Sequence, residues 1–501
     1  MSVQAIQLGA HLPALQVVVP LLSAPLCALI TRPRIAWATA LVVSALALAM
    51  AAALLQQVLA SGPISYALGG WAAPWGIEYR VDTVNAFVLL IVSTISTVAL
   101  PFALHSVEQE VRADRVSLFY TAWMLCLTGL LGIAITGDAF NLFVFLEIAS
   151  LSSYVLISLA RDRRALIAAF RYLIMGTIGA TFILIGIGLL YAMTGTLNMM
   201  DLAARLAALE DTRTVKVAFG FLTVGVGIKM ALFPLHGWLP NAYAYAPSAV
   251  TAFLAGSATK VAVYVWLRFF FTIFGPDFAR DSMSMDLLLM PLALIAIVIA
   301  SVIAVFQDDA KRLLAYSSIA QIGYMALGIS LFSVTGLTAA IVHLFNHAII
   351  KTVLFMALGC IVFRTGSVSI ASLAGMGRRM PWTMAAFVFG ALSLVGVPLT
   401  VGFISKWYLL LAALEQGWWP LAVVVVLTSL LAAVYCGRVI EAAYFRDPEP
   451  GSIQASAREA PLAMLIPVWV LIVANVYFGI DTDLTVGVAS RAAGVLLGAG
   501  P

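Results

Sequence analysis

The sequence predicts an all-α, polytopic membrane protein of about fourteen transmembrane helices, and three observations carry that prediction. The 501 residues are 63% hydrophobic and 10% charged, with a mean hydropathy of +1.06. Soluble domains hold about 25% charged residues, so this composition belongs in lipid. Apolar runs of about 20 residues, the length that spans a bilayer, recur from end to end. The basic residues also alternate. Sixteen fall in one set of loops, among them Arg32, Arg161, Arg163, Arg164, Arg171, Lys311, Arg312 and Arg438, and seven in the other, among them Arg80, Arg205 and Arg268.

The runs centre near Val19, Ala47, Ser93, Leu125, Ile148, Thr181, Phe221, Val263, Ile297, Ile319, Ile350, Ser393, Val425 and Val470. The first, Leu12 to Ile30, has no basic leader and no small-residue cleavage site, and reads as a retained helix rather than a signal peptide. Two runs are interrupted. The seventh holds Lys229-Met-Ala-Leu-Phe-Pro234-Leu-His236-Gly-Trp238-Leu-Pro240, and the twelfth holds Gly396-Val-Pro398-Leu-Thr-Val-Gly402-Phe-Ile-Ser-Lys406. Proline and glycine at mid-membrane free backbone groups that only a protein interior or a watery cavity satisfies. Broken helices in corresponding places of two halves point to an inverted-repeat transporter. No loop is long enough for a soluble domain, so residues 1–501 read as a single transmembrane domain. Basic loops stay cytoplasmic, and an even helix count puts both termini on the outer side of a bacterial inner membrane.

Several classes fall away. The net charge of +4 comes from arginines in short loops, which does not indicate nucleic acid. Cys27, Cys126, Cys360 and Cys436 lie far apart with no CxxC, against an iron–sulfur cluster or structural zinc. No G-x-x-x-x-G-K-[ST] loop is present for ATP, and nothing marks a flavin, haem or nicotinamide site. No cofactor, no metal and no catalytic residue is expected; the chain reads as a transporter subunit, not an enzyme.

The informative residues are charges inside apolar runs. Four of the six lysines, Lys229, Lys260, Lys351 and Lys406, sit there with Glu147. Such a charge costs roughly 3 kcal/mol on insertion scales and usually lines an ion pathway. Glu147 shares a helical face with Ser150 and Tyr154. As a partner for Lys229 it could act as a switch; the structural alternative is an ion pair tying two helices. Two unit charges about 4 Å apart at an effective dielectric near 20 interact by roughly 4 kcal/mol. Lys260 shares a face with Ser257 and Tyr264. Lys260 and Lys406 could instead snorkel from helix ends.

His343, His347 and Lys351 recur every four residues along one face, spanning about 12 Å. His-x-x-x-His suggests metal, yet no carboxylate or cysteine accompanies it and an ammonium one turn away repels a divalent ion. Titratable imidazoles suit a proton relay instead. Lys351, read as nearer the helix end, would set the local potential. Ser317, Gln321 and Tyr324 stripe the preceding helix and could hold bridging water. His236, in the first break, reads equally as a relay member or a satisfied structural histidine. Asp138 reads as a helix-start carboxylate.

Gly137-Asp138-Ala-Phe-Asn141-Leu-Phe-Val-Phe-Leu-Glu147 and the Lys229 to Pro240 segment closely resemble the antiporter-like subunits of respiratory complex I and of multisubunit Mrp-type cation/proton antiporters. The resemblance runs from about the third helix to the fourteenth. It implies two inverted five-helix repeats, about 116–273 and 288–445. It also implies functional roles for Glu147, for Lys229, for Lys260 as a bridging base and for Lys406 as an exit residue. Among the branches the chain looks most like the Mrp D subunit: the wording around Glu147 and the length fit, and it ends soon after its fourteenth helix with no room for a lateral one. One complex I branch has glutamate at the Lys406 position, which argues against that branch.

The resemblance thus implies a subunit that carries protons while its complex exchanges Na⁺ or a similar monovalent cation, with other membrane subunits as partners. The expected path runs Lys229, Lys260, His343/His347, Lys406, supported by His236, Ser317, Gln321, Tyr324 and Lys351. The alternatives are a pumping subunit of complex I or a membrane-bound hydrogenase, a scaffold with relic charges, and a bicarbonate-uptake partner.

Overall fold

The computed structural model describes residues 8–209 and 212–498. Its elements, in order, are α1 (Leu12–Leu29), α2 (Pro33–Ser61), β1 (Ile64–Ala67), β2 (Glu78–Val81), α3 (Thr83–Glu110), α4 (Val116–Ile135), α5 (Ala139–Ser158), α6 (Arg164–Thr194), α7 (Met199–Leu206), α8 (Arg213–Met230), α9 (Leu239–Tyr245), α10 (Ser248–Gly256) and α11 (Ala258–Leu267). There follow α12 (Met285–Val305), α13 (Ala310–Ser330), α14 (Val334–Thr365), α15 (Met376–Arg379), α16 (Pro381–Val395), α17 (Val401–Glu415), α18 (Trp419–Phe445), α19 (Ile453–Ser456), α20 (Leu462–Ile480) and α21 (Asp483–Leu496).

Twelve helical stretches among the described residues are long and apolar enough to cross a membrane. The seventh and twelfth expected spans are the interrupted ones, α8 with α9 and α16 with α17. The predicted all-α polytopic architecture is therefore found, with additions. A small antiparallel hairpin pairs Ile64 with Val81 and Ala67 with Glu78, and α21 follows the fourteenth span.

A third interruption was not anticipated. The eighth span divides at Ser257 (φ −127°, ψ −58°) into α10 and α11 and continues as a π-helical turn over Arg268–Ile273. Lys260 and Lys351 lie on inner helices: the spans Ser248–Ile273 and Val334–Thr365 are 94% and 78% buried, against 33% for Trp419–Phe445. An interior helix meets side chains and carbonyls instead of lipid, which is what lets it hold a lysine.

Backbone chemistry fixes the helix ends. Asp82 caps α3 by accepting from Val84 N and Asn85 N, and Asn85 Oδ1 accepts from Asp82 N in return, a reciprocal capping box. Asp138 caps α5 through Asn141 N at 2.7 Å, as expected from sequence, and Asp309 caps α13 through Arg312 N at 2.9 Å. The two junctions share one pattern. Ala139 N donates to Leu197 O and Met199 N to Gly137 O; likewise Ala310 N donates to Val368 O and Ile370 N to Asp308 O. The first junction touches the hairpin through Gly137 N and Glu78 O. The second borders the same cavity as Glu110, at the far end of α3. They therefore lie at opposite ends of the bundle.

At the twelfth span the two half-helices nearly touch. A Cβ on Gly402 would fall 1.7 Å from the Ser393 carbonyl oxygen, and Gly396 turns the chain at φ +95°. Glycine is needed at both places.

Candidate functional site

Each buried lysine sits beside a helix interruption or packs against a neighbouring helix, and each touches a hydroxyl. Lys229 is the penultimate residue of α8, which ends in left-handed Ala231 (φ 59°). Its Nζ donates to Ser150 Oγ at 2.8 Å and lies 3.3 Å from Glu147 Oε1. The expected pair is formed, although Glu147 is only partly enclosed: its side chain is 27% exposed against 6% for Lys229. Trp238, in the segment after the break, donates Nε1 to the Ile228 carbonyl at 2.9 Å and stacks on Tyr172 at 3.8 Å. The tryptophan thus caps the carbonyl end that the break exposes. A cavity of about 40 Å³ bordered by Ser150, Lys229, Ala258 and Val261 separates the pair from α11, room for little more than a water molecule or two.

Lys260 is fully enclosed and does not snorkel. It donates to the Ala255 carbonyl, freed by the break at Ser257, and lies 3.4 Å from Thr259 Oγ1. The expected companions on its face act elsewhere: Ser257 donates to Phe253 O, and Tyr264 to Ala134 O. The break is pressed against α14, since a Cβ on Gly256 would meet Thr352 Oγ1 at 2.4 Å.

Lys351 is fully buried near the middle of α14, not towards its end as the sequence suggested. It donates to Leu314 O at 2.9 Å and Ser317 Oγ at 2.8 Å, and Ser317 also shares a 2.9 Å bond with Tyr435 OH. Tyr324 bonds Thr428 at 2.6 Å, while Gln321 is buried on the same helix. The stripe Ser317, Gln321, Tyr324 therefore faces the interior, with two members engaged by side chains of α18. The His343 and His347 rings stack 5.8 Å apart. His343 Nδ1 shares a 2.8 Å bond with Ser405 Oγ; its Nε2 and both His347 nitrogens meet no protein partner among the described residues. Among the described residues, neither imidazole is tied to a backbone carbonyl.

Lys406 also does not snorkel. Its Nζ donates to Leu394 O at 2.9 Å, Val395 O at 2.8 Å and Ser429 Oγ at 3.0 Å, closing the carbonyl end of α16. It lies 5.3 Å from the Tyr324 ring, and Tyr324 lies 6.1 Å from His343. The structure thus brings Lys406, Tyr324, His343 and Ser405 into one cluster. His236 lies apart, stacked on Phe233 at 5.0 Å with Nδ1 unpartnered among the described residues. Among the described residues, no group of histidine, cysteine or carboxylate side chains could hold a metal ion.

Many charged residues read from sequence as loop residues lie within helices, and three of them matter here. Lys311 is buried and donates to Ser248 Oγ at 3.0 Å, while Ser248 donates from the same oxygen to Glu110 at 3.1 Å, beneath a cavity of about 700 Å³. Arg268 is buried and bonds Asp82 at 2.6 Å and Tyr264 OH at 2.9 Å. Burial works against the Asp82 carboxylate, but Arg268 and two backbone N–H groups outweigh it and hold the carboxyl below its ordinary value of 3.8. Arg171 lies two turns inside α6.

The family model described as "NADH:quinone oxidoreductase/Mrp antiporter, TM" matches residues 136–432. The chain is 42% identical to the NADH-quinone oxidoreductase subunit N of Desulforudis audaxviator over 95% of its own length and 96% of the relative's. It is 31% identical to the D subunit of the Na(+)/H(+) antiporter of Alkalihalophilus pseudofirmus, covering 83% of each chain. Its fold superposes on a chain of the Mrp complex from Dietzia sp. DQ12-45-1b with a TM-score of 0.89, 28% identity and 98% coverage of both. The matched stretch runs from the cap of α5 into α18 and so takes in all three interrupted spans and the five lysines buried among the described residues; the chain belongs to the NADH:quinone oxidoreductase/Mrp antiporter transmembrane family.

Proposed function

We propose that the chain is the D-type, proton-carrying subunit of a multisubunit Mrp-type antiporter, moving protons while its complex exchanges Na⁺ or a similar monovalent cation. One observation carries the reading: Lys229, Lys260, Lys351 and Lys406 are all enclosed in packed helices, with two stacked imidazoles among them. Idle charges would not be kept at roughly 3 kcal/mol apiece. In this reading a proton reaches Lys229 from the basic-loop side. It passes through Lys260 and the His347–His343 stack to Lys406, and opening or closing the Glu147–Lys229 pair sets the ease of each transfer. The wide mouth over Glu110 and Lys311 and the small cavity beside Ser150 support access from that side. Both termini lie outside, and the matched junctions at Asp138 and Asp309 support two inverted five-helix repeats. Other membrane subunits complete the complex, as in the Dietzia assembly.

A second reading, a pumping subunit of a redox-driven complex, is favoured by the 42% identity to an NADH-quinone oxidoreductase subunit. Affinity purification of the chain from its native membrane separates the two. Small membrane subunits alone, with Na⁺-driven proton movement in everted vesicles, are expected; co-purifying iron–sulfur or quinone-site subunits would overturn the antiporter assignment.

A further inference from the structure

Beside the basic-loop mouth lies a smaller cavity of about 330 Å³, lined by Arg164, Ile167, Ala168, Arg171, Asn241, Tyr245 and Arg312. It has three guanidinium groups on its walls and no carboxylate among its lining residues. Arg164 is held by Asp162 at 2.7 Å, outside the cavity, and lies 4.7 Å over the Tyr245 ring. Among the described residues, Arg171 and Arg312 have no ion-pair or hydrogen-bond partner for their side chains, and Arg312 Nε is buried without one. Arg171 follows Arg164 by seven residues, so both project from one face of α6, about 10 Å apart along the axis. Between and beyond them Ile167, Phe170 and Ile174 are 58%, 60% and 46% exposed, an apolar face of a spanning helix.

Arg171 stands two turns inside a lipid-facing span, and no carboxylate of the chain lines the cavity it borders. We propose that this cavity binds the phosphate group of an anionic phospholipid, its acyl chains lying along Ile167, Phe170 and Ile174. Guanidinium forks match phosphate oxygens in pairs, and basic pockets between helices on the cytoplasmic side suit such head groups. The apolar floor selects a lipid over free phosphate, because an inorganic ion gains nothing from it. The site stands independently of the transport mechanism, since none of its residues belongs to the proton path.

The test uses the whole complex purified in mild detergent, with retained phospholipids counted by native mass spectrometry. Arg171→Gln combined with Arg312→Gln should remove one anionic phospholipid per complex. The same double variant should weaken thermal protection by added phosphatidylglycerol by roughly tenfold or more. Arg163→Gln, an exposed neighbour outside the cavity, should change neither. Phosphatidylcholine and millimolar inorganic phosphate should not protect the wild type. Unchanged anionic lipid in the double variant, or equal protection by phosphatidylcholine, would overturn the site. Protection by inorganic phosphate alone would overturn the lipid and assign the cavity to a soluble anion. Loss of a neighbouring subunit with lipid unchanged would overturn it too and assign the arginines to a protein carboxylate.

Discussion

Lys229 donates to Ser150 at 2.8 Å, a shorter contact than the 3.3 Å that separates it from Glu147. The ammonium is therefore anchored by the hydroxyl, and the partly exposed carboxylate can move without cutting the lysine loose. Glu147→Ala and Lys229→Ala are each expected to abolish cation/proton exchange in everted vesicles while the complex assembles. Wild-type exchange in both at matched protein levels would rule out the switch.

Lys406 closes the two carbonyls at the end of α16. Lys406→Ala should impair exchange severely, and Lys406→Arg should not restore it, because arginine keeps its charge but releases no proton near neutrality. Equal rates for arginine and lysine would make the residue an electrostatic anchor.

His343→Ala and His347→Ala should each slow exchange or shift its optimum across pH 6 to 9. Lys351, central in α14 and not terminal, should be as sensitive as the histidines, so Lys351→Ala is expected to cost more than a local potential change would. Unchanged rate and optimum in both histidine variants would take this helix out of the path.

Gly402→Ala should destabilise the twelfth span by about 1–3 kcal/mol, since its methyl would overlap the Ser393 carbonyl. A lowered melting temperature of the purified complex is the readout, and an unchanged one would contradict the close approach.

Asp82→Ala strands the Arg268 charge in the interior and should cost about 3–5 kcal/mol. The wild-type contribution has a definite pH sense. With its folded value depressed, Asp82 stabilises fully above 3.8, and that stability is lost as the pH falls below it. Melting curves of wild type and Asp82→Asn should accordingly converge only in acid.

Much of this was legible in the residues. Charges inside apolar runs flagged Glu147, Lys229, Lys260, Lys351 and Lys406, because composition alone makes them anomalous. Pro234 and Pro398 flagged two breaks, because proline withholds a donor. The break at Ser257 carries no proline, only Ala255-Gly256-Ser257, and left no comparable mark. Lys311, Arg268 and Arg171 stand near span ends, where a loop charge and an enclosed one look alike until packing decides. The Asp82–Arg268 bond joins residues 186 positions apart, which no local pattern reports. The four-residue strands of the hairpin are too short to show through periodicity, and α21, at 14 residues, is too short to register as a membrane span.

The company each buried lysine keeps has one more implication. Lys260, Lys351 and Lys406 each touch a carbonyl and a hydroxyl: Ala255 O with Thr259, Leu314 O with Ser317, and Leu394 O with Ser429. A carbonyl only accepts, but a hydroxyl can either accept or donate. An ammonium uses both as acceptors. Once neutral, the amine can keep its N–H on the carbonyl and offer its lone pair to the hydroxyl hydrogen, which needs only to rotate. Either protonation state is then bonded at the same spot, so a proton can arrive or depart while the helices stay where they are.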